Sequence, residues 1–405
     1  MKILIYTQFC TPEPSFKSVP FAKELCRRGH DVKILTGFPN YPGGRLYPGY
    51  PLRPWRRERV DGFDIMRVPL WPSHDQSVFF RILNYTSFVT CSAGPLFLGW
   101  RPDVIYVYNL VTLGFLCALN RWCRGIPYVM DVMDLWPDSV GQSNMGRCWM
   151  KAPIGTLSRI AYGSATRVVA SSPGMAEVLA DRGIQRARLS FIYNWCDEQS
   201  LRLGAVASGQ LPEGFRGRFN VLFAGNMGPA QGLDTVIEAA ALAGRIDPTI
   251  QFVFLGEGIL RSVLEQLACR IAPKNTVFLP FRPQKEASLV MALSDVLIIH
   301  LKPIPLFDYT IPSKTQAYLA SGRPIIAAVG RDTTHLVQTA GAGVSCKAGD
   351  PRLIAEAAVQ LARVSKEDRD AMGRRGREFY QRELSMTVGV DRWERVFREA
   401  VACVK

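Results

Sequence analysis

Residues 309–318 read Tyr-Thr-Ile-Pro-Ser-Lys-Thr-Gln-Ala-Tyr, setting Ser313 and Lys314 on the threshold of a short helical pattern. Cations are not favoured at a helix N-terminus, so a bound anion is one reason to keep a lysine there. A solvated lysine is another. Two further loops could meet the same anion. Gly225, Asn226 and Gly232 lie in Phe-Ala-Gly-Asn-Met-Gly-Pro-Ala-Gln-Gly (223–232), and Gly256 and Gly258 lie in Leu-Gly-Glu-Gly (255–258). Glycines in such loops let the backbone approach a diphosphate closely. The Gly-Lys-Ser/Thr ending of a P-loop is absent. Near the N-terminus, Ser15, Lys17 and Ser18 open the first helical pattern and could hold phosphate through amides and the helix dipole. A plain capping serine explains them as well. Asp131, Asp134 and Asp138 follow a strand pattern, where a carboxylate could activate an acceptor hydroxyl as general base or simply cap a helix. The turn-rich loop 37–44, with Tyr41, reads as a lining wall or as a connection.

The elements that must position these groups alternate. Short runs rich in Val, Ile and Tyr at 2–9, 31–37, 63–69, 103–109, 127–134 and 167–172 are separated in several places by helical patterns. One such pattern is 18–29, with Phe21 and Leu25 at helical spacing and Gly29 as the stop. A second series of strands is predicted at 219–225, 251–258, 275–281, 295–303, 323–330 and 341–349, with helices at 232–243, 259–270, 285–293 and 313–321. This βαβ rhythm predicts an α/β class with parallel sheets. The expected division is residues 1–200, 201–375 and a terminal helical segment 376–405, whose Trp393 and Phe397 share a face and must dock.

At 405 residues, two domains are expected, and 48 % hydrophobic with 21 % charged residues excludes a disordered chain. The net charge of +14 favours anionic partners. No zinc module, RNA-recognition signature or compact basic helix accompanies it, so nucleic acid is not an expected partner. Four scattered histidines and ten cysteines without a Cys-x-x-Cys pair predict no metal site and reduced thiols. The chain enters a strand pattern at once, and no cleaved secretion signal is expected.

Segment 77–100 is apolar for about the length of a membrane helix, yet it contains Arg81, Asn84 and Gly94-Pro95. An interfacial helix is expected, with Phe79, Phe80, Leu83 and Phe88 in lipid and Arg81, Arg53, Arg56, Arg57 and Arg59 toward lipid phosphates. A helix packed under the sheet is the alternative.

The order of the opening strand and loop, Thr-Gly-Phe-Pro-Asn-Tyr-Pro-Gly-Gly, Asp-Leu-Trp-Pro-Asp-Ser, Asn-Met-Gly-Pro-Ala-Gln-Gly, Gly-Glu-Gly and Ile-Pro-Ser-Lys resembles the retaining glycosyltransferases of family 4 on the GT-B fold. Within them it resembles the L-fucosamine transferases of O-antigen, capsule and colanic-acid assembly. The resemblance implies two Rossmann-like domains facing a central cleft, the acceptor held by the N-terminal domain and the nucleotide-sugar donor by the C-terminal one. The terminal helix would return to the first domain. It puts Gly225, Asn226 and Gly232 on the donor diphosphate, Gly256 and Gly258 beside the nucleotide, and Phe281 and Arg282 near the base. Ser313 and Lys314 fall near the phosphates. The arginine and lysine with which much of the family neutralises the leaving diphosphate correspond here to Asn226 and Gln231. The family's Glu-x7-Glu pair falls at Tyr309 and Ala317, with Asp308 beside the first. Lys314, Arg282 and Lys17 are therefore the candidates to carry positive charge.

The implied reaction is transfer of an N-acetylated hexose from a UDP-sugar to a polyprenyl-diphosphate-linked sugar, with retention, and without a metal or other cofactor. The implied location is the cytoplasmic face of the inner membrane, peripheral or monotopic, on an anionic lipid surface. A UDP-N-acetylhexosamine 2-epimerase and a non-catalytic nucleotide-binding membrane-surface protein are the rival readings.

Overall fold

Short strands buried on both faces form the centre of each half of the chain, the burial that a parallel sheet with helices on each side requires. The computed structural model describes residues 1–13, 15, 17–73, 78–136, 138, 148–201, 215 and 217–404. They form two compact units: Met1–Ile192 with Val390–Lys405, and Tyr193–Gly389.

The first unit holds β1 (Lys2–Tyr6), β2 (Asp31–Gly37), β3 (Arg56–Val60), β4 (Phe63–Val68), β5 (Val104–Tyr108), β6 (Tyr128–Val132), β7 (Arg167–Ala170) and β8 (Leu189–Phe191). Their order is β3-β4-β2-β1-β5-β6-β7-β8, all parallel except β3 on β4. The second unit holds β9 (Phe219–Ala224), β10 (Ile250–Leu255), β11 (Thr276–Leu279), β12 (Val296–His300), β13 (Ile325–Ala328) and β14 (Gly343–Ser345). Their order is β11-β10-β9-β12-β13-β14, and every pairing is parallel. Among the parallel strands of each sheet the order reverses at one place, between β1 and β5 and between β9 and β12. Ligands of open α/β sheets bind beyond the carboxyl ends of the strands at such reversals.

Two strands lie outside the sequence-predicted set. β3 is Arg-Arg-Glu-Arg-Val at the sheet edge, where one side needs no apolar cover. It reaches β4 through Asp61 (φ 48°) and Gly62 (φ 92°), the left-handed pair that a two-residue hairpin demands. β8 is only three residues long.

The helix expected from about 376 begins earlier. Lys366–Glu383 runs through that position, and the break falls before a last helix, Met386–Ala402. In the first unit Trp393 is fully buried, 4.9 Å from the Tyr106 ring and 6.2 Å from Phe21. Arg28 adds an ion pair to Glu394 at 3.0 Å.

Helix Val78–Leu98 packs one face under the sheet, as the alternative reading of segment 77–100 expects. Asn84, Phe88, Ser92 and Leu96, spaced by four, are buried against the sheet. Phe88 meets the Tyr6 ring at 5.8 Å, and Ser92 Oγ shares a hydrogen bond with Tyr6 Oη. Phe88 is therefore core, not lipid-facing, because the stripe of four-residue spacing carries it inward. Phe79 is 68 % exposed and Phe80 37 %. Leu52, Trp55 and Trp71 are exposed as well, and Leu52, Pro69, Leu70, Trp71, Pro72 and Leu83 line an apolar groove of about 400 Å³. Arg53, Arg57 and Arg59 are exposed, whereas Arg56 pairs with Glu58 at 2.9 Å. Among the described residues no helix is long and apolar enough to cross a membrane.

Candidate functional site

The loop after β9 and the loop after β12 meet at the second unit's strand reversal. Backbone bonds join the β9 loop to its neighbour after β10: Gly225 N donates to Leu255 O at 2.9 Å and Met227 N to Glu257 O at 2.8 Å. Gly256 (φ 138°) leaves no room for a side chain, since a Cβ there would lie 2.2 Å from Gly225 O. Arg261 secures the far side, donating to Gly256 O and Leu279 O and pairing with Glu257 at 3.2 Å.

Within the β9 loop, Gln231 folds back so that its Oε1 accepts from Gly228 N at 3.1 Å. Gln231 thus shapes the loop, while Asn226 is exposed. The loop is tied to β12 by His300, buried at the strand's end. His300 Nδ1 lies 2.6 Å from Gln231 O, and Gly349 N donates to Nε2 at 3.2 Å. One ring nitrogen faces an acceptor and the other a donor, so a neutral ring protonated on Nδ1 satisfies both. Burial, the largest cause, lowers the His300 pKa in agreement. Gly232 (φ 55°) packs so closely that a Cβ would meet His300 Cε1 and Lys302 Cγ, each at 3.0 Å. Lys302 is an exposed cation beside this loop, and sequence reasoning missed it with His300. The signal was a polar pair closing an otherwise apolar strand, His-Leu-Lys.

Helix Lys314–Ser321 is held to β9 by Tyr318, whose hydroxyl accepts from Ala224 N at 2.7 Å and donates to Ala224 O at 3.2 Å. That anchorage brings Lys314 over the Phe223 ring, Nζ 3.4 Å from its centroid. Nζ also lies 3.2 Å from where a Cβ on Gly225 would stand. The lysine stem keeps some exposure, but Nζ is buried and has no hydrogen-bond partner among the described residues. Burial lowers its pKa to about 7. Ser313, at the start of the helix, is exposed. Arg282 Nη1 pairs with Glu286 at 3.1 Å, and Phe281 is exposed with its N–H 3.4 Å from Glu257 Oε1. Gly258 lies in the β10 loop, two residues before Leu260, whose N donates to Met227 O at 3.1 Å. Asp308 lines a cavity of about 610 Å³ with Lys302, Phe307, Arg331 and Lys347.

In the first unit, Lys17 and Asp131 find each other. Lys17 Nζ lies 2.7 Å from Asp131 Oδ2, and both side chains are buried. Tyr106 Oη donates to the same oxygen at 2.5 Å. This corrects the phosphate expectation for Lys17 and the base expectation for Asp131: both sit in the interior, engaged with one another. Desolvation is the largest influence on Lys17 and lowers its pKa, with the Asp131 charge opposing it. Asp134 remains exposed and is oriented by Asn109, which donates to it at 2.8 Å and accepts from the Met133 and Asp134 amides. Asp138 pairs with Arg182. Ser15 Oγ is buried without a hydrogen-bond partner among the described residues. Glu13, unremarked in the sequence, accepts from the amides of Cys10, Asn40 and Tyr41 and so ties the β1 loop to the Tyr41 loop.

Residues 20–195 match the Glycosyl transferase 4-like domain family, and residues 218–363 match Glycosyl transferases group 1. The putative colanic acid biosynthesis glycosyl transferase WcaI of Escherichia coli K12 is 27 % identical over 340 residues, covering 80 % of this chain and 82 % of that protein. Among solved structures, Anabaena Alr3699/HepE in complex with UDP superposes with a TM-score of 0.70 at 15 % identity, over 98 % of this chain and all of that one. The α,α-trehalose 6-phosphate synthase of Burkholderia multivorans gives 0.74 at 13 % identity, over 100 % and 99 % of the two chains. These likenesses give the fold: two sheet domains with flanking helices in the GT-B architecture.

Proposed function

From a chain built as a glycosyltransferase 4-like domain followed by a group 1 domain, we infer a retaining transferase of bacterial surface polysaccharide assembly, moving an N-acetylated hexose from a UDP-sugar to a polyprenyl-diphosphate-linked sugar. The observation that carries the reading is the unpartnered Lys314 amino group beside Gly225, where three loops of the second unit converge. Negative charge grows on the departing diphosphate in the transition state, and stabilising it is the main electrostatic task of such a reaction. Lys314 supplies that stabilisation, with Lys302 as a further cation at the loop, whose glycines let the backbone come close to the diphosphate. Gly256 and Gly258 border the nucleotide, Phe281 and Arg282 its base, and Ser313 the phosphates. Asp308 stands near the donor sugar.

The acceptor belongs to the first unit. Asp134, exposed and fixed by Asn109, is the carboxylate available to its hydroxyl. The reading includes no covalent nucleophile; the leaving phosphate departs from the face that the hydroxyl enters and helps take its proton, which gives retention. Among the described residues no cluster of three metal-ligating side chains occurs, and Lys314 and Lys302 are the cations proposed for the phosphates. The exposed Trp55, Trp71, Phe79 and Phe80 beside Arg53, Arg57 and Arg59 suit the interface of an anionic bilayer, where the lipid acceptor resides.

The test is UDP release from a panel of UDP-sugars, with and without a polyprenyl-diphosphate N-acetylhexosamine. Release that requires one donor and the lipid supports the transferase. A 2-epimerase would convert donor without acceptor, and donor binding with no turnover on any pair would leave a nucleotide-binding protein.

A further inference from the structure

A buried ammonium normally has a carboxylate or several carbonyls around it, because desolvation without compensation drives it to the neutral form. Lys314 Nζ has neither among the described residues. Nζ lies 3.4 Å from the centroid of the Phe223 ring and 3.2 Å from where a Cβ on Gly225, the residue that opens the proposed diphosphate loop, would stand.

The charged groups of the surrounding elements do not supply the missing anion. β9 carries no ionisable side chain, and helix Lys314–Ser321 carries Lys314 and Tyr318, whose phenol burial keeps neutral and whose hydroxyl is engaged with Ala224. β12 contributes His300, whose neutral ring is held between Gln231 O and Gly349 N. Glu286 on helix Gln284–Leu293 pairs with Arg282, and Glu257 in the β10 loop pairs with Arg261. Helix Lys366–Glu383 meets the far end of the Lys314 helix, where Arg377 donates to Ala320 O and Ser321 O.

We propose that Lys314 is neutral in the ligand-free protein and that the donor's diphosphate enters the site together with one proton, taken from solvent onto Lys314 Nζ. The inference rests on the donor reading above and adds a mechanism to it. A neutral amine can lie against an aromatic face without a counter-ion; an arriving diphosphate supplies the counter-ion and restores the ammonium. Charge then balances inside the site: the polyanion gains a cation that was not charged beforehand. The same proton remains in place as charge develops on the leaving diphosphate. The lowered pKa of about 7 agrees with that order of events.

UDP itself is the probe, titrated calorimetrically into the full chain in two buffers of different ionisation enthalpy. The terminal phosphate of UDP titrates near pH 6, so at about pH 8.5 the ligand exchanges no proton of its own. Uptake approaching one proton per UDP is expected for the wild type. Affinity should also weaken by up to about tenfold per pH unit above neutrality, the limit for one linked proton. Lys314→Met should bind more weakly with no uptake, and Lys314→Arg should bind without uptake, because its guanidinium stays charged. UDP binding by the wild type without proton uptake overturns the proposal and leaves the donor reading standing. Undiminished uptake in Lys314→Met overturns it too. Absence of UDP binding at any pH overturns the donor reading itself, and this inference with it.

Discussion

Lys17 and Lys314 are both lysines with buried amino ends, and a carboxylate is the difference between them. Lys17 is held by Asp131, so removing one partner strands the other. Asp131→Ala should cost roughly 3–5 kcal/mol in urea denaturation of the first unit, and Lys17→Met with Asp131→Leu should recover most of it. Lys314 has no such debt to its neighbours. Its pKa in the folded chain lies below the unfolded value, so the unfolded chain binds more protons between about pH 7 and the ordinary lysine value. Stability from this group therefore rises with pH through that window and is least at and below neutrality. Lys314→Met should raise the Tm of the ligand-free protein most at the acid end, on the order of 2–4 °C per kcal/mol relieved. A Tm unchanged across the window would contradict a buried, unpaired amine. Sequence patterns made Lys314 and the glycines legible, because loop chemistry is local. They did not reveal that Lys17 and Asp131 pair across 114 positions, or that His300 buttresses the β9 loop from 69 positions away.

At the scale of elements, helix Val78–Leu98 is divided between core and surface. Its four-residue stripe belongs to the core and its N-terminal aromatics do not. Replacing Phe79 and Phe80 with serine should release the protein from anionic vesicles in a sedimentation assay while leaving the melting curve in place. Phe88→Ala should instead cost roughly 3–5 kcal/mol of stability, the usual price of emptying an aromatic core position. Retention of the serine variant on vesicles would remove the interfacial role. The β strands of both sheets were legible from their Val, Ile and Tyr runs, apart from β3 and β8. The edge position of β3 frees it from the apolar pattern, and its Asp-Gly turn was the cue available. Helices Arg331–Thr339 and Pro351–Arg363 were not anticipated. The first is polar on average, and the second is an alanine-rich amphipathic stretch marked by an Asp350 cap that the sequence reading passed over.

For the whole molecule, the alternation of strand and helix made the α/β class readable, and the ordered motifs made the GT-B architecture readable. Each sheet's strand order arises from long-range pairing that no window of sequence contains. The excess of 14 positive charges acts at this scale as well, favouring anionic lipid and phosphate together. Vesicle association should accordingly weaken as salt shortens the Debye length from about 10 Å at 0.1 M to about 3 Å at 1 M.

The most direct measurement is donor- and acceptor-dependent UDP release by the wild type and Lys314→Ala side by side, on vesicles carrying the lipid-linked sugar. The account predicts release that needs both substrates and falls by about 10²–10³ in the variant, the usual effect of losing one group that stabilises transition-state charge. Release by Lys314→Ala at the wild-type rate, or release that ignores the acceptor, would contradict it.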